Sequence, residues 1–157
     1  MDSRIRLRPA REEDCKLFWE WANDPETRKF AFNKMAIAWD DHVSWFSNKI
    51  HDPDCRIYVA ENDTGAPLGQ ARFDITAKDA EIDVSIDRTQ RGSGLGAVLI
   101  DEAVKQFFSD TSAQKVHAYI LPENHASIAA FEKASFQRIG IETKQGTGAL
   151  HYAIRTG

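Results

Sequence analysis

A turn with three closely spaced glycines separates a segment of alternating polarity from a segment with helical periodicity. In the first segment Ile82, Val84 and Ile86 alternate with polar residues, which predicts a β-strand with one buried face. In the second, apolar residues recur about every 3.6 positions, which predicts a buried helix face. Those apolar residues are Leu95, Leu99, Ile100, Ala103, Val104, Phe107 and Phe108. The order strand, glycine turn, helix favours a domain in which helices pack on a sheet.

The glycine turn runs from Gln90 to Gly96. Glycine tolerates backbone angles that other residues avoid, so successive N–H groups can converge at the positive end of the following helix. Such a site binds an anion, for example a pyrophosphate, and Arg91 could add a charged hydrogen bond. The spacing alone leaves open both phosphate binding and a simple tight connection. No Lys-Ser or Lys-Thr pair follows Gly96, which excludes a nucleoside-triphosphate loop, and the glycine spacing does not fit a dinucleotide fingerprint.

Periodicity in the rest of the chain predicts a mixture of strands and helices. The predicted strands are residues 5–8, 57–60, 68–75, 80–87, 116–121, 136–141 and 149–154. The other predicted helices are residues 15–22, which Asn23-Asp24-Pro25 would end, 41–50 and 126–134. We therefore predict a single α+β domain over residues 1–157, with a largely antiparallel central sheet and flanking helices.

Composition excludes several functional classes. The chain has 157 residues, with 20 basic and 24 acidic side chains and a net charge of −4, so it lacks the positive surplus of a nucleic-acid binder. No apolar stretch approaches the roughly 20 residues that span a membrane. Residues 1–4 lack the apolar core of a secretion signal, so a cytoplasmic location is expected. Cys15 and Cys55 have no spacing typical of a metal or disulfide site.

Several segments, in order along the chain, resemble the GNAT (general N-acetyltransferase) superfamily. Residues 91–96 are similar to its Arg/Gln-x-x-Gly-x-Gly/Ala signature, and residues 80–82 to the start of its fourth strand. Residues 124–136 are similar to the next block of the family, and residues 6–10 and Gly69 also fit. The resemblance implies the GNAT fold, with splayed fourth and fifth strands. It also implies direct transfer of an acetyl group from acetyl-CoA to a small-molecule amine in a ternary complex, without a metal.

The resemblance also implies how acetyl-CoA is held. The backbone amides of residues 91–96 would bind the pyrophosphate, and the fourth strand would pair with the pantetheine arm. Asn124 would hydrogen-bond to that arm, with a helix cap as the alternative for this residue. The implied coenzyme A contacts are Val84, Ser85, Ile86, Arg91, Gly92, Ser93, Gly94, Leu95, Gly96, Asn124, Ser127, Phe131 and Lys133.

Acetyl transfer to an amine needs a group that removes a proton from the ammonium ion. The candidate catalytic residues are Glu81, Asp83 and His42. Glu81 matches a glutamate that is the general base in some family members. The alternatives are structural: Glu81 and Asp83 could form the wet face of a strand, and His42 could be a packed or surface residue of a helix.

Phe131 departs from the family pattern. Many relatives have a tyrosine at this position, whose hydroxyl protonates the coenzyme A thiolate, and phenylalanine cannot donate a proton. Either another group donates, among them Ser127, Tyr119 and water, or the thiolate leaves unaided because its basicity is modest. The general acid is therefore unassigned.

The first half of the chain resembles a subgroup that acetylates amino groups on nucleotide-linked sugars, including enzymes of pseudaminic acid synthesis. Aromatic side chains can stack on a base or a sugar, and arginine can clamp a diphosphate. The predicted acceptor-binding residues are Trp21, Asn23, Arg28, Phe32, Asn33, His42, Trp45, Arg72 and Asp74. The alternative for some of the aromatic residues is that they only cover the sheet.

The preferred hypothesis is therefore an N-acetyltransferase for an amino sugar carried by a nucleotide. One alternative is a protein N-terminal acetyltransferase of the ribosomal-protein type, which has a similar front half. The other is a non-catalytic acyl-CoA-binding module, because Phe131 replaces the expected acid. The sequence leaves the oligomeric state open, with a homodimer among the expected assemblies.

Overall fold

The computed structural model describes residues 5–157, so the expectation about secretion that rests on residues 1–4 lies outside the described residues. The strands are β1 (Arg6–Pro9), β2 (Cys55–Glu61), β3 (Pro67–Thr76), β4 (Asp79–Ile86), β5 (Lys115–Ile120), β6 (Gln137–Lys144) and β7 (Thr147–Arg155). The helices are α1 (Cys15–Asn23), α2 (Pro25–Lys29), α3 (Trp39–Ile50), α4 (Leu95–Asp110) and α5 (His125–Lys133).

The strands form one sheet in the order β1-β2-β3-β4-β5-β7-β6. Neighbouring strands are antiparallel except for β4 and β5, which run parallel. The predicted fold class, an α+β chain with a largely antiparallel sheet and flanking helices, is thereby confirmed. The parallel pair is short: its register covers Asp79↔Lys115, Ala80↔Val116 and Glu81↔His117.

The two faces of the sheet are covered differently. On one face α4 and α5 pack over the sheet, with Phe107 stacked on Phe73 at a centroid distance of 4.2 Å. On the other face α1 and α3 cover β2 through a smaller cluster that includes Phe18, Phe46 and Val59. On the second face, beside this cluster, β4 carries the exposed carboxylates Asp79, Glu81 and Asp83, β5 the half-buried His117 and Tyr119, and β7 the buried His151. We call this area the open face.

Two elements differ from the prediction. Asp24 and Pro25 do not only end α1, because the Asp24 carboxylate accepts hydrogen bonds from the amides of Glu26 and Thr27 and so caps the short helix α2. Strand β6 continues to Lys144, beyond the predicted end at residue 141. The two-residue turn at Gln145 and Gly146 has positive φ at both positions, which allows this tight hairpin. None of the helices in residues 5–157 is long and apolar enough to cross a membrane.

Candidate functional site

The sheet opens between β4 and β5. Past Glu81, strand β4 stays paired with β3 as far as Ile86, while the β4–β5 register ends at the Glu81↔His117 pair among the described residues. At about 3.3 Å per residue, residues 82–86 give β4 an unpaired edge of roughly 16 Å. Val84, Ser85 and Ile86, the predicted contacts of the pantetheine arm, are half-buried in this section. An extended ligand that carries amide groups could pair with this edge as an added strand.

The glycine turn closes the other end of this opening. Gly92 and Gly94 have φ of 78° and 81°, which other residues rarely adopt. A Cβ atom built on either glycine would meet no atom within 4 Å, so open space lies in front of the turn. Gly94 is the N-cap of α4, and the first amides of that helix have no intrahelical acceptor. The turn therefore fits a bound pyrophosphate, held by main-chain N–H groups and the helix dipole.

The side chains of the turn are engaged within the protein. Arg91 donates to Asp24 Oδ2 at 2.6 Å, and Ser93 Oγ donates to the carbonyl of Gln90 at 2.6 Å. Burial alone would raise the pKa of Asp24, but the hydrogen bond and positive charge of Arg91, together with the amides of Thr27 and Glu26, outweigh burial and lower the pKa. Leu95 is buried in the core. The predicted contacts of these residues with coenzyme A would therefore be made by their main-chain N–H groups.

The start of α4 also packs closely on α5. A Cβ atom on Gly96 would lie 3.5 Å from the Cβ of Ala130. This is an ordinary van der Waals distance, so α4 and α5 are in contact behind the turn.

Helix α5 places its predicted coenzyme A contacts less directly. Asn124 Oδ1 accepts from the amide of Ser127 at 3.2 Å, which is the helix-cap alternative. Phe131 is buried and lies edge-on against Phe136, at a centroid distance of 5.0 Å, so it is a core residue in this structure. Lys133 is exposed at the end of the helix.

Two of the candidate bases lie on the open face. Glu81 is exposed, and its Oε1 lies 3.1 Å from Nζ of Lys144. Asp83, two residues along β4 on the same face, accepts from Nε2 of Gln70 at 3.2 Å and lies 3.6 Å from Nη1 of Arg72. Glu81 also lines an open cleft of about 500 Å³ together with Tyr119. Of the two carboxylates, Glu81 is the one that lines this cleft.

A line of hydrogen bonds crosses four strands beside Glu81, and the sequence did not reveal it. His117 Nε2 lies 2.8 Å from Asp79 Oδ2, His117 Nδ1 lies 2.8 Å from His151 Nε2, and His151 Nδ1 lies 3.0 Å from Glu142 Oε2. Asp79, His117, His151 and Glu142 thus form a continuous line from β4 through β5 and β7 to β6.

Tyr119 lies between this histidine pair and Lys144. Its ring stacks on His151 at a centroid distance of 4.5 Å, and Nζ of Lys144 lies 4.3 Å from the ring centroid. Burial raises the pKa of the Tyr119 hydroxyl above its ordinary value, so it is protonated at neutral pH. Tyr119 is thus one of the alternative donors that the open face places beside Glu81.

His42 does not join the other two candidate bases. It is 2% exposed, its Nε2 is hydrogen-bonded to the carbonyl of Cys15 at 2.8 Å, and its ring packs among Trp39, Trp45 and Phe46. Burial lowers the pKa of this imidazole. The packed-residue alternative describes His42, and we assign it no role in proton transfer or acceptor binding.

Three predicted acceptor contacts hold the segment after α2 in place. Asn23 donates to and accepts from the backbone of Ile37, at 3.0 and 2.7 Å. Arg28 donates to the carbonyls of Ala22, Asn33 and Met35. Asn33 accepts from the amide of Met35. These side chains are hydrogen-bonded to the protein's own backbone, and their contact with the acceptor stays a prediction.

The remaining predicted acceptor contacts divide into two groups. Trp21 is buried and donates from Nε1 to Asp87, while Phe32 is half-buried. Arg72, in contrast, lies over the ring of Trp45 at 4.9 Å and donates to Asp74 at 3.0 Å. Burial alone would raise the pKa of Asp74, but Arg72 and Lys49 outweigh it and lower the pKa. The Trp45–Arg72–Asp74 cluster lies on the open-face side of β3, near Asp83.

In residues 5–157 no group of three or more His, Cys, Asp or Glu side chains is placed to hold a metal ion.

Comparison with known proteins identifies the family. The family model described as the acetyltransferase (GNAT) domain matches residues 4–137. The chain belongs to the GNAT acetyltransferase family. The solved structure of the aminoglycoside acetyltransferase AAC(6')-Ib with ribostamycin and coenzyme A superimposes with a TM-score of 0.83 at 22% identity, and covers 98% of this chain and 94% of that one. The predicted resemblance to GNAT enzymes, with acetyl-CoA as the acetyl donor of the domain, is confirmed.

Sequence relatives are distant and differ in length. An uncharacterized protein of Methanocaldococcus jannaschii, MJ1062, is 28% identical over 92% of this chain, but the match covers 30% of that protein. The putative phosphinothricin acetyltransferase YwnH of Bacillus subtilis is 30% identical over 65% of this chain and 64% of its own length. The chain thus spans less than two thirds of these relatives.

Proposed function

We propose that this chain transfers the acetyl group of acetyl-CoA to a primary amine on an amino sugar. The observation that carries the proposal is the opening between β4 and β5, which ends at the glycine turn on one side and at Glu81 on the other. The turn would hold the pyrophosphate, and the unpaired edge of β4 would hold the pantetheine arm. The thioester would then lie toward Glu81, on the open face.

The open face suits a cationic acceptor. Asp79, Glu81 and Asp83 alternate along β4 and point to the same side of the sheet. Carboxylates attract an ammonium ion, and Glu81 can accept its proton, after which the amine nitrogen is a nucleophile. Tyr119 can donate a proton to the departing thiolate or hydrogen-bond to the acceptor.

The identity of the acceptor is the finer part of the proposal. The segments around Trp21, Arg28, Trp45 and Arg72 resemble enzymes that act on nucleotide-linked amino sugars, and the structural neighbour AAC(6')-Ib was solved with ribostamycin, an aminoglycoside. Arg28 and Arg72 already have partners within the protein, so a diphosphate would have to compete for them. We therefore propose an amino sugar as the acceptor. That a nucleotide carries this sugar is a prediction that rests on the sequence resemblance. The cytoplasmic location and the homodimer remain predictions from sequence.

Thiol release from acetyl-CoA tests the acceptor. The panel contains UDP-linked amino sugars, ribostamycin, spermidine and a peptide with a free N-terminus. We expect the largest kcat/KM with an amino sugar, and a preference for the UDP-linked form if the nucleotide extension is correct. A higher value with the peptide would favour N-terminal acetylation. Tight acetyl-CoA binding with no thiol release across the panel would favour the non-catalytic module instead.

The base is tested by two matched substitutions on β4. Glu81→Gln should lower kcat by about 100-fold or more, since a general base contributes at least that much. Asp83→Asn should lower it less, because Gln70 and Arg72 already engage this carboxylate. Calorimetry should show unchanged acetyl-CoA affinity for both variants. The reverse order of kcat values would assign the base to Asp83.

A further inference from the structure

Lys144 reaches back over the open face from the end of β6. Its Nζ lies 3.1 Å from Oε1 of Glu81 and 4.3 Å from the centroid of the Tyr119 ring. Carboxylates and aromatic faces both bind ammonium ions in proteins. Lys144 therefore occupies the position that the amine of an acceptor needs in order to pass its proton to Glu81.

The aromatic wall of this position is built into the sheet. Tyr119 on β5 stacks on His151 of β7, which is 7% exposed. His151 is in turn bonded to His117 and Glu142 on the strands at either side. Strands β5, β6 and β7 thus support the Tyr119 ring through side chains other than Lys144.

The β6–β7 hairpin fixes the backbone position of Lys144, but the Lys144 side chain is only loosely held. Lys144 pairs with Thr147 across the turn at Gln145 and Gly146. The Lys144 and Glu81 side chains are 32% and 48% exposed. A solvent-exposed ion pair of this kind contributes little to stability, so an acceptor amine can displace the ammonium at low cost.

The ammonium also lies at the closed end of the opening. Strands β4 and β5 are joined up to the Glu81↔His117 pair and separate beyond it. A ligand that enters from the glycine turn and follows the edge of β4 is stopped at this pair, so its reactive end meets Glu81 and its neighbours. Lys144 is the lysine that contacts Glu81 there.

We propose that Lys144 is a self-acetylation site, modified when acetyl-CoA is bound and no acceptor is present. The lysine ammonium gives one proton to Glu81, and the free amine attacks the thioester carbonyl. The N–C bond forms, the C–S bond breaks, and the nitrogen loses its second proton. Of the two protons, one ends on the coenzyme A thiol and the other goes to solvent. The inference rests on the proposed function, since it uses the same donor and base.

Self-acetylation would change the open face. The amide product has no positive charge, so the ion pair with Glu81 is lost and the carboxylate is left free. Occupation of the position by an acceptor would protect Lys144, because both amines need the same carboxylate.

Peptide mapping by mass spectrometry tests the proposal on the full chain incubated with acetyl-CoA alone. Lys105 is the internal control: it also pairs with a carboxylate, Asp101, at 2.9 Å, but it lies on α4 and is more exposed. We expect Lys144 to be acetylated roughly tenfold or more faster than Lys105, as positioning effects of this kind allow. Equal rates at the two lysines would indicate chemical acetylation by the reagent and overturn the proposal.

A substitution separates this inference from the proposed function. Lys144→Arg keeps the charge but is not acetylated, so thiol release without an acceptor should fall to background. Persistence of that release in the variant would overturn the inference. If an added amine is acetylated but Lys144 is acetylated no faster than Lys105, the inference fails and the proposed function stands. If acetyl-CoA binds by calorimetry but neither Lys144 nor any added amine is acetylated, the proposed function fails with it.

Discussion

The proposed donor side and the proposed acceptor side of this molecule lie in different parts of the chain. At the junction of β4 and α4 the proposed binding groups are main-chain amides, and the positive φ angles of Gly92 and Gly94 shape the turn. In the front segment the polar side chains of Asn23 and Arg28 bind the protein's own backbone. Glycine spacing indicates where main-chain N–H groups can converge, whereas a site made of side chains depends on which partner each side chain finds after folding.

The strongest test of the backbone-built side is Gly94→Trp. We expect acetyl-CoA binding by calorimetry to be lost, because an indole there would fill the space in front of the turn. Gly65→Trp is the control, since Gly65 also has a positive φ, 84°, and open space around it, but lies in the hairpin between β2 and β3. The control should carry a similar backbone strain and keep its affinity. Equal affinity in the two variants would show that the turn does not hold the pyrophosphate.

A smaller effect is expected from Arg28→Gln on the acceptor side. The variant loses hydrogen bonds to three carbonyls, so its free energy of unfolding should fall by about 1–2 kcal/mol in urea denaturation. Lys16→Gln, an exposed position on α1, is the control and should change little. A rise in acceptor KM with unchanged stability would instead make Arg28 a direct acceptor contact.

The smallest effect concerns the pH dependence of stability through His42. Burial lowers the pKa of His42 in the folded protein from its ordinary value of 6.5, so below that pH the unfolded chain binds more protons. The free energy of unfolding should therefore fall as the pH drops from about 7 to 5.5, and His42→Phe should flatten this dependence. His51→Phe, at an exposed position after the same helix, should keep the wild-type slope. If the free energy of unfolding of His42→Phe depends on pH as it does in the wild type, the buried His42 ring is not the source of that dependence.

Most of the sheet and helices follow from periodicity, because the core on the α4 side is made of apolar residues at regular spacing. The misses have local causes. The sequence analysis interprets Asp24 and Pro25 as the end of α1. An acidic residue before a proline is also typical of the start of a helix, and here the pair begins α2. The last residues of β6 have no buried face, since β6 is the edge strand, so alternation could not extend it to Lys144.

The open face was predicted in part. Glu81 and Asp83 follow from alternation on one strand and from the family resemblance. The pairing of His117 with His151 does not, because 34 residues separate them and the register of β5 on β7 cannot be read from one sequence. The alternation of His117 and Tyr119 on a short strand was the available signal, since it places both side chains on one face.

The short seam between β4 and β5 gives the molecule two leaves, β1–β4 and β5–β7, that share three paired positions. In the proposed binding mode, a donor that hydrogen-bonds along the free edge of β4 would take the place of the missing β-ladder and join the two leaves. Its departure after each turnover would break this link, so the proposed mode makes product release and the cohesion of the sheet depend on the same main-chain groups.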